Sequence, residues 1–269
     1  MEILKKTDVQ AKPFIKWVGG KRSILQELIG RLPESYGSYH ELFMGGGALY
    51  FATRNKSSYL SDVNERLVNA FMCVRDNADA VVQELKLHEI AHNKDHFYEA
   101  RKQLSTESSS VKKAALFIYI NKTCFNGMYR VNSKGDYNVP MGRYTNPIIL
   151  DETNLRLVSA VLQDVDIRHQ GYEKSSIIKN DFYYLDPPYH QTFTGYDSSG
   201  FGETEQKKLA EFCSSINEKG GYFMLSNSDT SFIRDLYKKF KIETVMASRM
   251  VSCKGSSRGR KNEVVVRNY

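Results

Sequence analysis

The segment Phe182-Tyr183-Tyr184-Leu185-Asp186-Pro187-Pro188-Tyr189 determines how the rest of this chain is interpreted. Four apolar or aromatic residues, of the types that favour strands, end at a carboxylate, two prolines and a tyrosine. Neither proline has a backbone N–H, so a strand cannot continue through them. In α/β sheets, ligands bind where the strands end. The segment therefore predicts a buried strand that delivers Asp186 to a functional site.

The residues after this strand suit a planar group that carries an NH₂. An ionised Asp186 only accepts hydrogen bonds. We expect the carbonyls of Asp186, Pro187 and Pro188 to point outward as further acceptors, since the prolines supply no neighbouring donors. Tyr189 adds a flat ring for stacking. We take Asp186–Tyr189 as the catalytic residues, although a strand end with a buried tyrosine is the simpler alternative. With an ordinary pKa, Asp186 would be a poor general base.

Short strand-like runs alternate with helical patterns on both sides of this segment. The predicted strands are Tyr39–Phe43, Tyr59–Asp62, Val165–His169, Asp181–Asp186, Gly221–Ser226, Ile242–Ala247 and Glu263–Asn268. The predicted helices between them are Ser23–Gly30, Ala48–Arg54, Asn64–Arg75, Glu152–Leu162, Glu203–Asn217 and Thr230–Phe240. This alternation predicts an α/β fold with a largely parallel sheet.

One part of the chain interrupts the alternation. Helical patterns follow one another at Leu67–Val74, Ala80–Ile90, His96–Leu104 and Val111–Ile120. A basic stretch, Asn121–Asn146, comes next and contains a turn sequence at Ser133–Asp136. We interpret residues 65–147 as an insertion of helices and a hairpin-like loop. Residues 1–64 and 148–269 would then form the two parts of a catalytic domain.

A second motif is the glycine-rich loop Glu41-Leu42-Phe43-Met44-Gly45-Gly46-Gly47, between a predicted strand and a predicted helix. Glycines allow the backbone to turn tightly and to approach a ligand. Asp62 ends the next predicted strand, where a carboxylate can bind the hydroxyls of a ribose. The loop and the acid together indicate a nucleoside-containing cofactor. A dinucleotide-dependent oxidoreductase fits these two features as well.

The charge is concentrated in two segments of the chain. The 269 residues include 38 basic and 31 acidic side chains, a net charge of +7. Nine lysines and arginines oppose two glutamates between Tyr237 and Tyr269, and six oppose one aspartate between Lys112 and Pro147. Two such clusters favour nucleic acid as a partner, with two solvated faces as the alternative.

Several classes of protein do not fit the sequence. It has no apolar run of the ~20 residues that a membrane-spanning helix needs, and Met1–Lys12 lacks a signal-peptide core. The cysteines Cys73, Cys124, Cys213 and Cys253 are far apart, which is typical of reduced, cytoplasmic proteins. His88, His92 and His96 have a spacing that a metal could use, but without a nearby carboxylate or cysteine motif we expect a solvated face and no metal.

Three segments in one order carry a family resemblance. Phe14-Ile15-Lys16-Trp17-Val18-Gly19-Gly20-Lys21-Arg22, the glycine-rich loop and Asp186–Tyr189 resemble the Dam-type adenine-N6 DNA methyltransferases, the alpha group of the D12 class. The resemblance extends to the segments Phe125–Arg130, Asn138–Tyr144, Ser226–Asn227 and Ser256–Gly259, so it spans nearly the whole chain. It implies a Rossmann-like methyltransferase sheet with an inserted target-recognition domain.

The resemblance also implies the cofactor and its site. S-adenosylmethionine would be the methyl donor, and Asp186 would lie beside its methyl group. Trp17 and Lys21 would lie over its methionine end. Asp62 would hold the ribose and Tyr172 would lie near the adenine. The pocket would also be lined by Phe43, Gly45 and Gly47.

By the same resemblance, the substrate is double-stranded DNA with a flipped adenine. The implied DNA contacts are Lys16, Phe125, Asn126, Met128, Arg130, Pro140, Arg143, Tyr144, Arg258, Arg260 and Lys261. Phe125 would fill the gap left by the base, and Arg130 would read a guanine edge. Met128 and Pro140 would pack against bases, while Arg143 and the three C-terminal cations would hold phosphates.

The resemblance predicts a GATC-like target in a bacterial or phage-infected cell, and a cognate restriction endonuclease as a possible partner. An RNA or other amino-group methyltransferase stays open as an alternative. We expect both basic segments to flank the mouth of the site.

Overall fold

The computed structural model describes residues 10–55, 57–191, 201–248 and 260–269. Within these ranges one sheet contains β1 (Tyr39–Glu41), β2 (Ser58–Asp62), β3 (Val165–His169), β4 (Phe182–Leu185), β5 (Tyr222–Ser228), β6 (Lys241–Ser248) and β7 (Arg260–Arg267). Its strand order is β3-β2-β1-β4-β5-β7-β6. The first five strands in that order are parallel, and β7 runs antiparallel to both of its neighbours. All seven predicted strands are present, and the predicted α/β, Rossmann-like fold is confirmed.

The α-helices of the described ranges are α1 (Leu25–Ile29), α2 (Ala48–Thr53), α3 (Glu65–Ile90), α4 (Lys94–Gln103), α5 (Ser110–Thr123), α6 (Glu152–Leu162), α7 (Glu203–Glu218) and α8 (Ser231–Leu236). The two helices predicted within 65–90 are joined into α3. A break at Asn77, with φ −139° and ψ 38°, lies between the two predicted segments. α3 begins where the side chain of Asn64 accepts a hydrogen bond from the backbone N–H of Leu67.

Side chains alternate between the two faces of the sheet, and helices cover both faces. Tyr39, Phe182 and Tyr184 face the side that packs with α2, α3, α5 and α6. Tyr183 and Leu185 face the opposite side, where they pack with α7 and α8. All five side chains are almost fully buried, so β4 lies at the centre of the core. The apolar run that begins the defining segment is therefore a central strand, as predicted.

The chain leaves the sheet after β2 and returns at β3, through α3 to α6. A hairpin-like loop lies in this part: Val131 pairs with Tyr137, and Cys124 pairs with Met141, both antiparallel. The predicted turn is present, with Gly135 at φ +81°. The division at 64/65 stays a prediction, because α3 packs on β2, β3 and α6 as well as on α5.

The described residues also bear on membrane-spanning helices, metal sites and the three spaced histidines. The described helices include none that is long and apolar enough to cross a membrane. The same residues hold no group of three or more side chains arranged to bind a metal ion. The histidines do not form a solvated face, however. His88, His92 and His96 are half-buried around the ring of Tyr119, so that prediction was wrong.

Candidate active site

The strand order places the candidate site at the carboxyl ends of β1 and β4. These strands are neighbours in space but distant in sequence, so the loops that follow them diverge and leave a crevice. The glycine-rich loop follows β1, and Asp186 follows β4. Asp62 ends β2 beside them. The sheet thus brings the predicted cofactor loop and the predicted catalytic segment to one edge.

Asp186 forms an ion pair with a buried lysine. The Nζ of Lys21 lies 2.6 Å from Oδ2 of Asp186 and donates to the carbonyl of Gly19, also at 2.6 Å. Oδ1 of Asp186 is buried and has no hydrogen-bond partner among the described residues. An unpaired buried acceptor is costly, which suggests that a ligand completes this site.

The pKa of Asp186 differs from the ordinary value that the sequence suggested. Burial raises this pKa to about 6, and the opposite charge of Lys21 limits the rise. The expectation of an ordinary pKa was therefore wrong. An aspartate with a pKa near 6 is a better proton acceptor at neutral pH than an ordinary one, because a base works best when its pKa lies near the operating pH.

Tyr189 is fixed at both its hydroxyl and its ring. Its hydroxyl donates to Oε2 of Glu263 at 2.8 Å, and the Nζ of Lys21 lies 4.8 Å from its ring centroid. Glu263 is 7% exposed and lies on β7. Sequence reasoning missed Glu263, although an acid beside the β-branched run Val264–Val266 is a signal for a buried carboxylate.

A buried amide network holds the prolines between Asp186 and Tyr189. The Nε2 of Gln206 donates to the carbonyl of Pro188 at 2.8 Å. Asn227 joins this network through its Nδ2, which donates to Gln206, and its Oδ1, which accepts from the backbone N–H of His190. The carbonyl of Pro188 is therefore satisfied within the protein, so the expectation that it points outward was wrong.

The glycine-rich loop bends around Trp17. Gly45 has φ +48° and Gly47 has φ +66°, conformations that favour glycine. A Cβ added to Gly45 would lie 2.8 Å from Cδ1 of Trp17. The backbone N–H of Gly45 donates to Asp62 at 3.0 Å. Trp17, Gly45 and Asp62 are thus brought together, as the cofactor prediction requires.

The other predicted cofactor residues lie in two places. Phe43 stacks with Tyr172 at 5.4 Å between ring centroids, on the side of the loop that faces α7. Lys21, which is predicted to lie over the methionine end of the cofactor, contacts Asp186. A carboxylate at the end of β2, a close-packed glycine loop and paired aromatic rings fit a nucleoside with its ribose hydroxyls.

Glu41 is a further group that sequence reasoning did not single out. It is 3% exposed at the end of β1 and accepts hydrogen bonds from the hydroxyl of Tyr39 and the backbone N–H of Tyr50. Burial raises the pKa of Glu41 to about 8, and these two hydrogen bonds limit the rise. The acid that opens the glycine motif could have indicated a buried carboxylate.

The loop after α5 presents the predicted DNA-reading residues. Phe125 and Tyr144 are each 39% exposed, and the Nζ of Lys16 lies 4.1 Å from the ring centroid of Tyr144. Arg130 is half-buried, and its Nε donates to Oδ1 of Asn138 at 2.7 Å.

The remaining predicted DNA contacts on this loop differ in exposure. Asn126, Pro140 and Arg143 are exposed, and Met128 is half-buried. The carbonyl of Pro140 accepts a hydrogen bond from the backbone N–H of Phe125 at 2.9 Å, which holds the two sides of the loop together.

The C-terminal cations are divided between the two ends of the sheet. Arg267 pairs with Met224 near the start of β5 and forms an ion pair with Glu243. Both contacts lie at the end of the sheet opposite the candidate site. The expectation that the whole segment flanks the site was therefore wrong. Arg258 lies outside the described residues, as do the side chains of Arg260 and Lys261.

The sequence of this chain is similar to those of known DNA methyltransferases over nearly its whole length. A family model described as D12 class N6 adenine-specific DNA methyltransferase matches residues 17–251. The type II methyltransferase M1.LlaDCHI of Lactococcus lactis subsp. cremoris is 35% identical over 100% of this chain and 99% of its own length. M.MjaIII, a type II methyltransferase of Methanocaldococcus jannaschii, is 37% identical over 97% of this chain and 100% of its own length. A DNA adenine methylase of Haemophilus influenzae is 30% identical over 97% of this chain and 94% of its own length. The chain belongs to the D12 class of N6 adenine-specific DNA methyltransferases.

Proposed function

We propose that the protein transfers a methyl group from S-adenosylmethionine to the N6 amine of an adenine flipped out of duplex DNA, within a GATC-like sequence. The observation that carries this proposal is the buried Oδ1 of Asp186, which has no hydrogen-bond partner in the described part of the chain; the other oxygen of this carboxylate pairs with Lys21, whose Nζ lies over the ring of Tyr189. Family membership leaves no support for the oxidoreductase alternative.

The site suits the amine of adenine for a chemical reason. The lone pair of this amine is delocalised into the ring, which makes the nitrogen a weak nucleophile. A hydrogen bond from the NH₂ to Oδ1 of Asp186, and another to the carbonyl of Pro187, would localise that lone pair. Tyr189 would hold the base by stacking on its face. Its hydrogen bond to Glu263 anchors the hydroxyl end of the side chain. Catalysis would rest on positioning and on fixed acceptors.

The residues around the glycine-rich loop would hold the cofactor. Asp62 would accept from the ribose hydroxyls, and Trp17, Phe43 and Tyr172 would line the pocket with Gly45 and Gly47. When bound, S-adenosylmethionine supplies an electrophilic methyl group. Asp186 would then accept the proton that the methylated amine loses, a role that its raised pKa favours.

The loop after α5 would read the DNA. Phe125 would occupy the space of the flipped base, whose extrusion costs a few kcal/mol. Arg130 would contact a guanine edge, and Met128 and Pro140 would pack against bases. Lys16 and Tyr144 would add contacts to bases or phosphates. The residues assigned to phosphate contacts are Arg143, Arg258, Arg260 and Lys261. Asn126 would be a further DNA contact.

We also propose the biological setting. Relatives at 35% and 37% identity are named type II methyltransferases. A cognate restriction endonuclease in the same system is therefore proposed as a partner. The cytoplasm of a bacterial or phage-infected cell, where the DNA lies, is proposed as the location.

The test is incubation of purified protein with S-adenosylmethionine and mixed-sequence duplex DNA, followed by mass spectrometry of the nucleosides. We expect N6-methyladenine from the wild type and none from Asp186→Ala, with DNA binding retained. Methylation of RNA in preference to duplex DNA, or full activity of Asp186→Ala, would contradict the proposal.

A further inference from the structure

Asn121 is a fully buried amide that joins two segments assigned to DNA reading. It lies in the last turn of α5. Its Oδ1 accepts from the backbone N–H of Lys16 at 2.8 Å, and its Nδ2 donates to the carbonyl of Lys16 at 2.8 Å. The side chain thus satisfies both backbone groups of one residue, as a neighbouring strand would. The same Nδ2 donates to the carbonyl of Gly127 at 3.3 Å.

Lys16 and the turn at Gly127 are packed directly against each other. A Cβ on Gly127 would lie 2.4 Å from the Cβ of Lys16, and Gly127 has φ +60°. The neighbouring Asn126 also has a left-handed backbone, with φ +55°. The Nζ of Lys16 donates to the carbonyl of Lys122 at 2.9 Å, beside Tyr144. The position of Lys16 and the shape of the turn therefore depend on each other, and Asn121 bonds to both.

The segment that Asn121 holds also reaches the cofactor loop. Trp17 follows Lys16, and its ring stacks with Tyr129 at 5.7 Å between centroids. The same ring lies against Gly45. The contacts of Asn121 thus lie between the DNA-reading loop on one side and the cofactor loop on the other.

We propose that Asn121 is a positioning residue that sets base discrimination by fixing Lys16 relative to the turn Phe125–Gly127. This inference rests on the proposed function, because it assigns DNA contacts to Lys16 and to that turn. Asn121 acts through the backbone of Lys16 and Gly127. Without this amide, Lys16 and the turn can shift relative to each other, so that duplexes with one changed base pair are methylated more readily.

The experiment compares Asn121→Ser with the wild type on the cognate duplex and on duplexes that differ by one base pair. We expect the ratio of kcat/KM between cognate and changed duplexes to fall about tenfold, with the KM for the cofactor within about twofold of the wild type. Asn227→Ser is the matched control, because Asn227 is equally buried and its amide holds the catalytic segment. It should slow methylation of all duplexes alike and leave the ratio unchanged.

A double-mutant cycle with Lys16→Ala separates positioning from general damage. If Asn121 acts through Lys16, the double variant loses less discrimination than the product of the two single losses. Equal slowing of every duplex by Asn121→Ser, or fully independent effects in the cycle, would overturn the proposal.

Gly127→Ala tests the same contact if Asn121→Ser does not fold, since its methyl group would overlap the Cβ of Lys16 and force the two segments apart while Asn121 stays intact. An unchanged ratio in that variant would likewise overturn the proposal. A wild type that does not methylate adenine in DNA would instead refute the proposed function, so the two failures are distinguishable.

Discussion

Replacing Lys21 by methionine removes the charge that keeps Asp186 ionised. Lys21 is 6% exposed, and its Nζ lies 2.6 Å from Asp186. Burial already raises the pKa of Asp186 to about 6, and Lys21 is the main opposing influence. An opposite charge at such a distance typically lowers the pKa of a carboxyl by about 1–3 pH units. Without Lys21, the pKa of Asp186 should therefore rise further, into or above the neutral range.

The consequence is a displaced pH profile. We expect the acid limb of kcat for Lys21→Met to move upward by about 1–3 pH units. On that limb, each pH unit of displacement lowers the rate about tenfold, because the ionised fraction of Asp186 falls by that factor. Activity lost at pH 7 should return as the pH is raised, since the methionine variant needs only a higher pH to ionise Asp186.

The assay is incorporation of labelled methyl groups into duplex DNA between pH 5 and pH 9.5, at saturating cofactor. Lys219→Met is the matched control, because Lys219 is exposed at the end of α7. Its profile should match that of the wild type. If the acid limb of Lys21→Met stays at the wild-type position while the KM for the cofactor rises, Lys21 serves the methionine end of the cofactor and the reasoning is refuted.

Three further predictions concern specificity and stability. Arg130→Ala should lose about 1–3 kcal/mol of discrimination at a single base pair, measured as kcat/KM ratios across substituted duplexes, and uniform losses at every position would contradict its assignment. Glu263→Leu removes the carboxylate that accepts from the buried hydroxyl of Tyr189 and should lower the free energy of unfolding by about 1–3 kcal/mol in a urea titration. Glu263→Gln keeps an acceptor and should lose less, so equal losses would argue against this hydrogen bond. Burial lowers the pKa of His88 to about 4. The unfolded chain therefore binds a proton that the folded chain does not, and stability should fall as the pH drops from about 6.5 to about 4. His88→Phe should flatten this dependence of Tm on pH, and an unchanged slope would contradict it.

Local sequence was sufficient to predict the strand that carries the site. Phe182–Leu185 is an unbroken apolar run, and Pro187 and Pro188 end it wherever it lies in the fold. Asp186 was therefore placed correctly at a strand end. The glycine-rich loop was predictable for a similar reason, because glycine can adopt the positive φ angles of Gly45 and Gly47 without the steric cost that other residues meet.

The partners of these residues were not predictable from local pattern. Lys21 and Glu263 reach Asp186 and Tyr189 only because the sheet brings distant segments together. The pKa of Asp186 follows from that burial, so a sequence without coordinates gives no means to derive it. The carbonyl of Pro188 likewise finds its donor, Gln206, on a separate helix.

Charge counts failed for a related geometric reason. The C-terminal segment forms β6 and β7, which run the full height of the sheet. Its cations are therefore distributed between the two ends of the strands. Arg267 pairs with Glu243 at the end away from the site. The net charge of a segment does not show at which end of the sheet its cations lie once that segment forms two antiparallel strands.

The central claim is that this chain methylates adenine at N6 within a specific duplex sequence. Its most direct test is a sequence-resolved map of N6-methyladenine in DNA from cells that lack other adenine methylation and express either the wild type or Asp186→Ala. We predict methylation confined to one short, GATC-like sequence in the wild-type cells and none in the variant cells. Equal maps in the two strains, or an absence of N6-methyladenine from both, would contradict the account.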